Sequence, residues 1–511
     1  MKNTILYIVI VVLAAIASKS VAQNKKYLEV HLDTPYPVDT VYLEIHSEFT
    51  GGGSYLLGIE NTYVKTSKNG TFRFELPERN EPYYISVHSP NTSDRRPFSW
   101  EQHWLAHYLV MPGDNIIIRF DEAKKTVLFS GNGYQKYQWR YNADTMIASL
   151  LKKYFYPNIK AKAENEANDV ILEKVLLSLD SLKNDLSDKE YKLLKANIIG
   201  ERMGQAVLNL AFLQFYWSPG SPYYNDRKEA DEYARNYENT FLKNFDDSSP
   251  YLTNSSSWAT FLYHRAWANR SYDKFRGIPS RGTILEYLKS YPSGAVRDQS
   301  IIIFLEHSIG SGKFTDSLFT YAKSFLSTDK YRKEASKIFG KITTGSEVDD
   351  DFVFTDNKGK PVRISDYKGK TVIIDMWFTG CIPCIQVAKY MPQIEENLKD
   401  CEDLLFVSLS VDKDKDDWLK SIDPIKKRED TFAYTHYTTP ETKYIYTSGM
   451  GSRNSFIRTY NPGGGFPRMV VIDKKGRLLS NSIQAPTNEK RAEGFEKKIR
   501  ELVKKQSTLV Y

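Results

Sequence analysis

Val372-Ile373-Ile374-Asp375-Met376-Trp377-Phe378-Thr379-Gly380-Cys381-Ile382-Pro383-Cys384 is the stretch on which the reading of this chain turns. Its first part, Thr371 to Met376, is a β-rich run of the kind that forms a buried strand. The pattern predicts a helix after Cys384, kinked or ended at Pro392. Cys381 and Cys384 therefore fall where a buried strand gives way to a helix. Unpaired backbone N–H groups and the helix dipole place roughly half a positive charge at such a start. That field favours thiolate over thiol and can lower a cysteine pKa from about 8.5 to about 7. Only a thiolate attacks a disulfide, so the placement selects Cys381 as nucleophile, with Cys384 nearly one turn deeper to resolve the mixed disulfide. Pro383 has no N–H and suits a first helical turn, where that N–H would have no partner.

The rest of the chain bounds this reading. With 511 residues it is too long for one ordinary core, and two or three domains are expected. Hydrophobic residues at 41% and charged residues at 26% are ordinary for a globular protein. The 35 Tyr and 26 Phe suit β-sandwich and carbohydrate-facing surfaces. The formal net charge of +7 is spread over well-mixed acids and bases, and the basic clusters Lys426-Lys427-Arg428 and Lys504-Lys505 are short. Nucleic acid is not an expected partner.

At the N-terminus, Lys2 precedes an apolar run from Ile5 to Ala17, and Ser20-Val21-Ala22 supplies small residues for cleavage. This pattern predicts a signal peptide, residues 1–22, cut after Ala22. The apolar run is short for a bilayer span, which takes about twenty residues, so stable membrane insertion is not expected. The chain has only three cysteines, Cys381, Cys384 and Cys401. In an oxidising compartment that is too few for a disulfide framework, and the C-x-x-C spacing points to chemistry. No second C-x-x-C or H-x3-H lies nearby, so neither a metal nor another cofactor is expected. Cys401 reads as a bystander. His103 and His107 share i, i+4 spacing but lie in strand-like sequence with no clear third ligand.

Three regions follow the leader. In residues 23–133, apolar and polar residues alternate over Tyr27 to Leu32, Val41 to Ile45, Thr71 to Leu76 and Asn115 to Phe120, with turn signals at Asn69-Gly70 and Pro112-Gly113-Asp114. This predicts an antiparallel β-sandwich. Residues 134–345 have helical period. One stripe runs through Ile171, Leu172, Val175, Leu176 and Leu179, and Ser187-x-x-Glu190 is a candidate capping box. Further helices are expected over Met203 to Tyr216, Trp258 to Trp267, Ile301 to Leu305 and Leu318 to Phe339. Residues 346–511 alternate strands with helices and predict a mixed α/β sheet. Strands are expected at Val362 to Ile364, Leu404 to Val411, Met469 to Ile472 and Arg477 to Ser482, with a terminal helix from Asn488 to Lys505. The stretch from Lys413 to Gly465 reads as a surface loop or substrate-facing lid.

The segment from Val372 to Cys384 resembles the active-site segment of thioredoxins, and more closely that of the exported TlpA/ResA-type thiol-disulfide oxidoreductases. The entry Asp351-Phe352-Val353-Phe354, Gly359-Lys360-Pro361 and Ile364 to Lys370 is similar to that family too. The resemblance implies a thioredoxin-like fold for residues 346–511. It implies that Asp375, six residues before Cys381, is the buried acid that exchanges a proton with Cys384, and that Trp377 is the aromatic residue packed beside the motif. It further implies that Phe466-Pro467 is the cis-proline turn opposite the cysteines, whose backbone would pair with an extended substrate. The chain departs from the pattern in three places. Gly380 replaces a Trp, Ile382 replaces a small residue, and Arg468 after the proline would bring a positive charge toward the sulfurs. The first region, with Pro112-Gly113-Asp114 and Phe129-Ser130-Gly131, resembles the N-terminal β-domain attached to thioredoxin-like proteins in Bacteroidetes.

The expected function is that of a periplasmic thiol-disulfide oxidoreductase with Cys381, Cys384 and Asp375 as catalytic residues and Trp377, Phe466 and Pro467 in substrate binding. Its expected partners are disulfide-containing or thiol proteins and a membrane electron donor. Two alternatives stay open. One is a glycan- or polypeptide-binding envelope protein with an accessory redox domain. The other is a peroxiredoxin-like peroxidase, although Trp377-Phe378-Thr379-Gly380 does not supply the Pro-x-x-x-Thr-x-x-Cys setting that such enzymes use.

Overall fold

A computed structural model describes residues 26–33, 40–46, 59–88, 105–121, 126–154, 161–216, 250–276, 282–423, 442–461 and 464–508. The leader, His103 and the Lys426-Lys427-Arg428 cluster lie outside the described residues. Two compact units divide at Thr283 and Ile284.

The first unit opens with strands β1 (Tyr27–Asp33), β2 (Thr40–His46), β3 (Ile59–Thr66), β4 (Thr71–Glu75), β5 (Tyr83–His88), β6 (Leu105–Val110), β7 (Asn115–Asp121) and β8 (Thr126–Asn132). They form two four-stranded sheets of order β4-β1-β7-β8 and β3-β2-β5-β6. Alternate residues of both sheets, among them Leu28, Val30, Leu43, Ile45, Phe72, Ile85 and Ile118, meet in one core. The expected sandwich is therefore present, but it is not purely antiparallel. β1 runs parallel to β7, pairing Leu28 with Ile116 and Asp33 with Asp121. Alternation fixes which face of a strand is buried, and it is blind to the direction of the neighbour.

Helices α1 (Tyr134–Tyr154), α2 (Ala161–Asp180), α3 (Asp188–Tyr216) and α4 (Ser256–Arg276) follow in the same unit. The stripe Ile171, Leu172, Val175 and Leu179 is buried as expected. The capping box opens α3: the Glu190 amide donates to Ser187 Oγ at 3.3 Å, and Glu190 Oε2 accepts from the Ser187 amide at 2.9 Å. Gly200 lets α3 and α4 come close, since a Cβ there would stand 2.7 Å from the Ser257 carbonyl carbon.

The second unit contains α5 (Ile284–Lys289), α6 (Ala295–Gly310), α7 (Asp316–Ser324) and α8 (Asp329–Phe339). The helical pattern from Leu318 to Phe339 is thus broken in two. The buried Asp298 carboxylate accepts the backbone amides of Ser327 and Thr328 at 2.9 and 2.8 Å, which holds the break open. A seven-stranded mixed sheet completes the unit. Its strands are β9 (Val353–Asp356), β10 (Pro361–Arg363), β11 (Thr371–Trp377), β12 (Leu404–Ser410), β13 (Lys443–Tyr446), β14 (Arg468–Ile472) and β15 (Leu478–Ile483), in the order β10-β9-β13-β12-β11-β14-β15. Between them lie α9 (Ile382–Asn397), α10 (Lys415–Ser421) and α11 (Ser455–Tyr460), and α12 (Glu489–Thr508) ends the described chain.

β11 is central and buried at every position. It pairs in parallel with β12 and antiparallel with β14. Ile373, Phe406, Met469 and Val471 pack against Val387, Met391 and Ile394 of α9 and against Phe495 and Ile499 of α12. This packing shows that, of the two outcomes expected at Pro392, the helix does not end there. The helix runs on to Asn397 with Pro392 inside it, because Val387 and Met391 before and at that turn, and Ile394 after it, are all anchored in one core. The stretch from Lys413 to Gly465 is likewise more than a loop. It contributes α10, α11 and strand β13, which pairs in parallel with β12 through Val407–Lys443 to Ser410–Tyr446.

Candidate active site

Cys381 caps the N-terminus of α9 with extended backbone, φ −73 and ψ 102. Its sulfur is bonded to Cys384 in a disulfide and accepts the Cys384 amide at 3.3 Å. That amide is one of the donors a helix start leaves without an internal partner, and a donor aimed at sulfur stabilises the anionic form once the disulfide is opened. Both cysteines are 3% exposed, whereas Ile382 between them is 61% exposed. The motif thus presents Ile382 outward and keeps its sulfurs under an apolar cover.

That cover is built from distant segments. Trp377, Cys381, Cys384, Trp418, Ile422 and Tyr446 form one buried cluster, with Phe466 packed against it. Trp418 and Tyr446 stack with centroids 4.9 Å apart. The Trp377 indole donates to Ser408 Oγ at 2.6 Å across the β11–β12 pair. Replacing Trp377 with Phe strands the buried Ser408 oxygen and removes the ring's polar anchor. The expected loss is about 1–3 kcal/mol of local stability in the second unit, read by hydrogen exchange in peptides from β11 and β12.

Phe466-Pro467 is a cis peptide bond, and the Phe466 ring meets Phe378 edge-to-face at 5.6 Å. Phe466 also packs against the cluster that holds the disulfide, which brings the Phe378–Phe466 pair to the rim of the motif. Asp375 lies in the middle of β11, 2% exposed, opposite Met469 of β14 and Ser408 of β12. It shares a strand face with Ile373 and Trp377, and Ile373 packs on α9. The structure therefore brings Asp375, Trp377, Cys381, Cys384, Phe466 and Pro467 to the junction of β11, α9 and the start of β14.

Arg468 behaves differently from its sequence reading. Its guanidinium is buried and donates to the Ile309 carbonyl at the end of α6 at 3.2 Å and to Asn481 Oδ1 at 3.4 Å. Desolvation lowers its pKa to about 10. Its charge is committed to α6 and β15. Cys401 is half-buried and not disulfide-bonded. Its thiol pKa is raised, burial outweighing the nearby Arg500. Among the described residues, no group of three or more His, Cys, Asp or Glu is arranged to hold a metal ion.

Sequence reasoning missed a polar clamp beside the motif. The Thr379 amide and hydroxyl donate to Asp412 Oδ1 and Oδ2 at 2.9 and 3.0 Å. Ser410 Oγ donates to Asp412 Oδ2 at 2.6 Å, and the Thr379 and Ser421 hydroxyls lie 2.7 Å apart. Burial raises the Asp412 carboxyl above its ordinary value, opposed by the hydrogen bonds from Ser410 and Thr379. The one available signal was position. Asp412 follows the C-terminal end of a central parallel strand, where sites in open α/β sheets gather.

Residues 343–497 match the sequence model of the Redoxin family. The chain is 27% identical over 159 residues to the thiol-disulfide oxidoreductase ResA of Bacillus thuringiensis, a match that covers 31% of this chain and 80% of that protein. To ResA of Bacillus subtilis it is 38% identical over 58 residues, 11% of this chain and 32% of that protein. Among solved structures, the thioredoxin domain of a thiol-disulfide oxidoreductase from Bacteroides vulgatus is 22% identical, with a TM-score of 0.25 over 31% of this chain and 97% of that one. The C-terminal part of the chain thus contains a Redoxin-type domain with a thioredoxin-like mixed sheet, similar in sequence to thiol-disulfide oxidoreductases of the ResA type.

Proposed function

We propose that this chain is an exported enzyme that reduces or exchanges disulfides in protein substrates through Cys381 and Cys384. The observation that carries the reading is the Cys381–Cys384 disulfide at the N-terminus of α9, under a cluster in which Phe466 and Trp377 take part. In the reduced enzyme the Cys381 thiolate attacks a substrate disulfide. One sulfur–sulfur bond forms as another breaks, and the departing substrate thiolate takes up a proton. The Cys384 thiol then loses its proton and attacks Cys381, releasing the second substrate thiol and leaving the enzyme disulfide. Two electrons have passed to the substrate, and a dithiol donor must return them. A membrane-bound donor would fill that role.

Asp375 is the residue we assign to accept and return the Cys384 proton. What supports this is its burial on the strand face that packs against α9. Trp377, Phe466 and Pro467 would line the substrate, supported by the Phe378–Phe466 ring contact at the rim of the motif. An extended backbone laid along residue 466 would dock by strand addition. Residues 1–22 act as the export signal in this reading. The catalytic domain is residues 346–511, and regions 23–133 and 134–345 are accessory. Among the described residues, no helix is long and apolar enough to cross a membrane.

The test is insulin-disulfide reduction by the purified chain with dithiothreitol as electron source. Turbidity from precipitating insulin B chain is expected to develop well ahead of the enzyme-free control. Peroxide consumption without insulin reduction would replace the proposal with a peroxidase. No redox turnover, together with tight binding of a glycan or polypeptide, would replace it with a binding protein.

A further inference from the structure

The turn at residues 378–380 delivers Cys381 to the start of α9 and is closed by the Cys381 amide donating to the Phe378 carbonyl at 3.1 Å. Phe378 and Gly380 are exposed, and Gly380 has φ +87, a backbone state that any side chain would strain. The segment is also fixed from outside. Asp412, just past β12, takes both the amide and the hydroxyl of Thr379. The same carboxylate accepts from Ser410 Oγ, and its own amide donates back to that oxygen at 3.0 Å. With its one proton committed to Asp412, the Thr379 hydroxyl accepts from Ser421 at the end of α10. One bond away, the Val411 amide donates to the Trp377 carbonyl at 2.8 Å. Ser410 and Ser421 are both fully buried. The Asp412 carboxylate thus ties the strand end to the turn, and the Thr379 hydroxyl carries the link on to α10, two residues ahead of the attacking sulfur.

We propose that Asp412 is a positioning residue for the thiol-disulfide reaction. By clamping Thr379 it fixes the turn that sets Cys381 at the cap of α9, and so maintains the reactivity of the Cys381 thiolate. The inference rests on the assignment of Cys381 as attacking sulfur. It concerns geometry rather than charge. A carboxylate near sulfur would disfavour the thiolate, so the clamp acts by keeping Cys381 within reach of the Cys384 amide and the helix field.

The test reduces the full-length protein and follows alkylation of Cys381 by iodoacetamide against pH, identified by mass spectrometry, in Asp412→Ala, Asp412→Asn, Thr379→Val and Thr379→Ser. Asp412→Ala and Thr379→Val are expected to raise the Cys381 pKa. A rise of one unit from a starting value near the working pH lowers the thiolate fraction and the alkylation rate there about fivefold. Asp412→Ala removes both bonds to Thr379 and Thr379→Val only the hydroxyl's, so Asp412→Ala should have the larger effect and their combination should fall short of the sum of the two. Thr379→Ser keeps the hydroxyl and Asp412→Asn keeps an acceptor for the amide, so both should stay close to wild type. If Asp412→Ala folds poorly, Thr379→Val carries the test through the hydroxyl half of the clamp.

Alkylation profiles unchanged in Asp412→Ala and Thr379→Val, with only a lower melting temperature, would overturn the inference. So would a pKa that falls in Asp412→Asn, which would reveal a charge effect. These outcomes are separate from failure of the functional proposal, because alkylation reads the cysteine without any substrate. A wild-type protein that alkylates normally but never reduces insulin would overturn the function and leave the clamp standing.

Discussion

In Cys381→Ser, insulin-disulfide reduction falls to the uncatalysed rate, and in Cys384→Ser the enzyme accumulates as a covalent adduct with its substrate. The two outcomes differ because the two sulfurs sit differently. Cys381 is the cap residue of α9 and accepts the Cys384 amide, so its sulfur holds the negative charge best once the pair is reduced. A serine hydroxyl there does not ionise near neutral pH and forms no disulfide, and the expected loss is at least about a thousandfold. Cys384 lies inside the first turn, buried beside Trp377. Removing its sulfur leaves the first attack intact and deletes the resolving one, so the mixed disulfide persists. Non-reducing electrophoresis and intact-mass measurement would show the adduct. An adduct on Cys384 in the Cys381→Ser protein, with turnover retained, would reverse the assignment of nucleophile.

Lys136→Met is expected to destabilise the first unit by about 3–5 kcal/mol. Lys136 opens α1 with a side chain that is 1% exposed, and its ammonium lies 2.6 Å from Asp114 and 3.1 Å from Glu190. It also donates to the Gly133 carbonyl at 3.2 Å. Asp114 is buried at the turn between β6 and β7, where it accepts from the Met111 amide and the Tyr137 hydroxyl at 2.8 and 3.0 Å. Burial raises the Asp114 carboxyl and the Lys136 charge is what most opposes that rise. Methionine keeps most of the volume and removes the cation, so the cost is that of a buried carboxylate left without its counter-charge. Hydrogen exchange by mass spectrometry in peptides from β6 to α1 is the appropriate readout, because a chain of two units need not unfold in one step. Adding Asp114→Asn to Lys136→Met should recover part of the loss. Protection unchanged in Lys136→Met would show that the ion pair contributes no net stability.

The two sites show different degrees of legibility. The redox motif was readable because strand, turn and helix start are contiguous, and the field at a helix start follows from local backbone geometry. The Lys136–Asp114 pair was not read from the sequence. Nothing near Lys136 distinguishes it from the many solvated lysines of this chain, and its partner arrives from another element across a turn. Strand β13 was missed for a related reason. Lys443 to Tyr446 is a short segment whose burial comes from pairing with β12. The broken helix at residues 325–328 depends on Asp298, about thirty positions away in sequence, which no periodicity reports.

By itself the sequence determined that residues 372–384 form a buried strand leading into a helix with two cysteines at its start. Scarcity of cysteine elsewhere made that pair chemical rather than structural. These are properties of neighbours along the chain, and 2.0 and 3.6 residue periods carry them directly. Only the tertiary structure decided that Phe466-Pro467 is cis and stands beside Phe378, that Arg468 turns to α6, and that Asp412 holds Thr379 across thirty-three positions. An X-Pro bond differs by only about 0.5–1 kcal/mol between isomers, and a side chain's partner depends on where the chain returns. The cysteine motif is written locally, and the contacts that hold and shape it exist only once the sheet has formed.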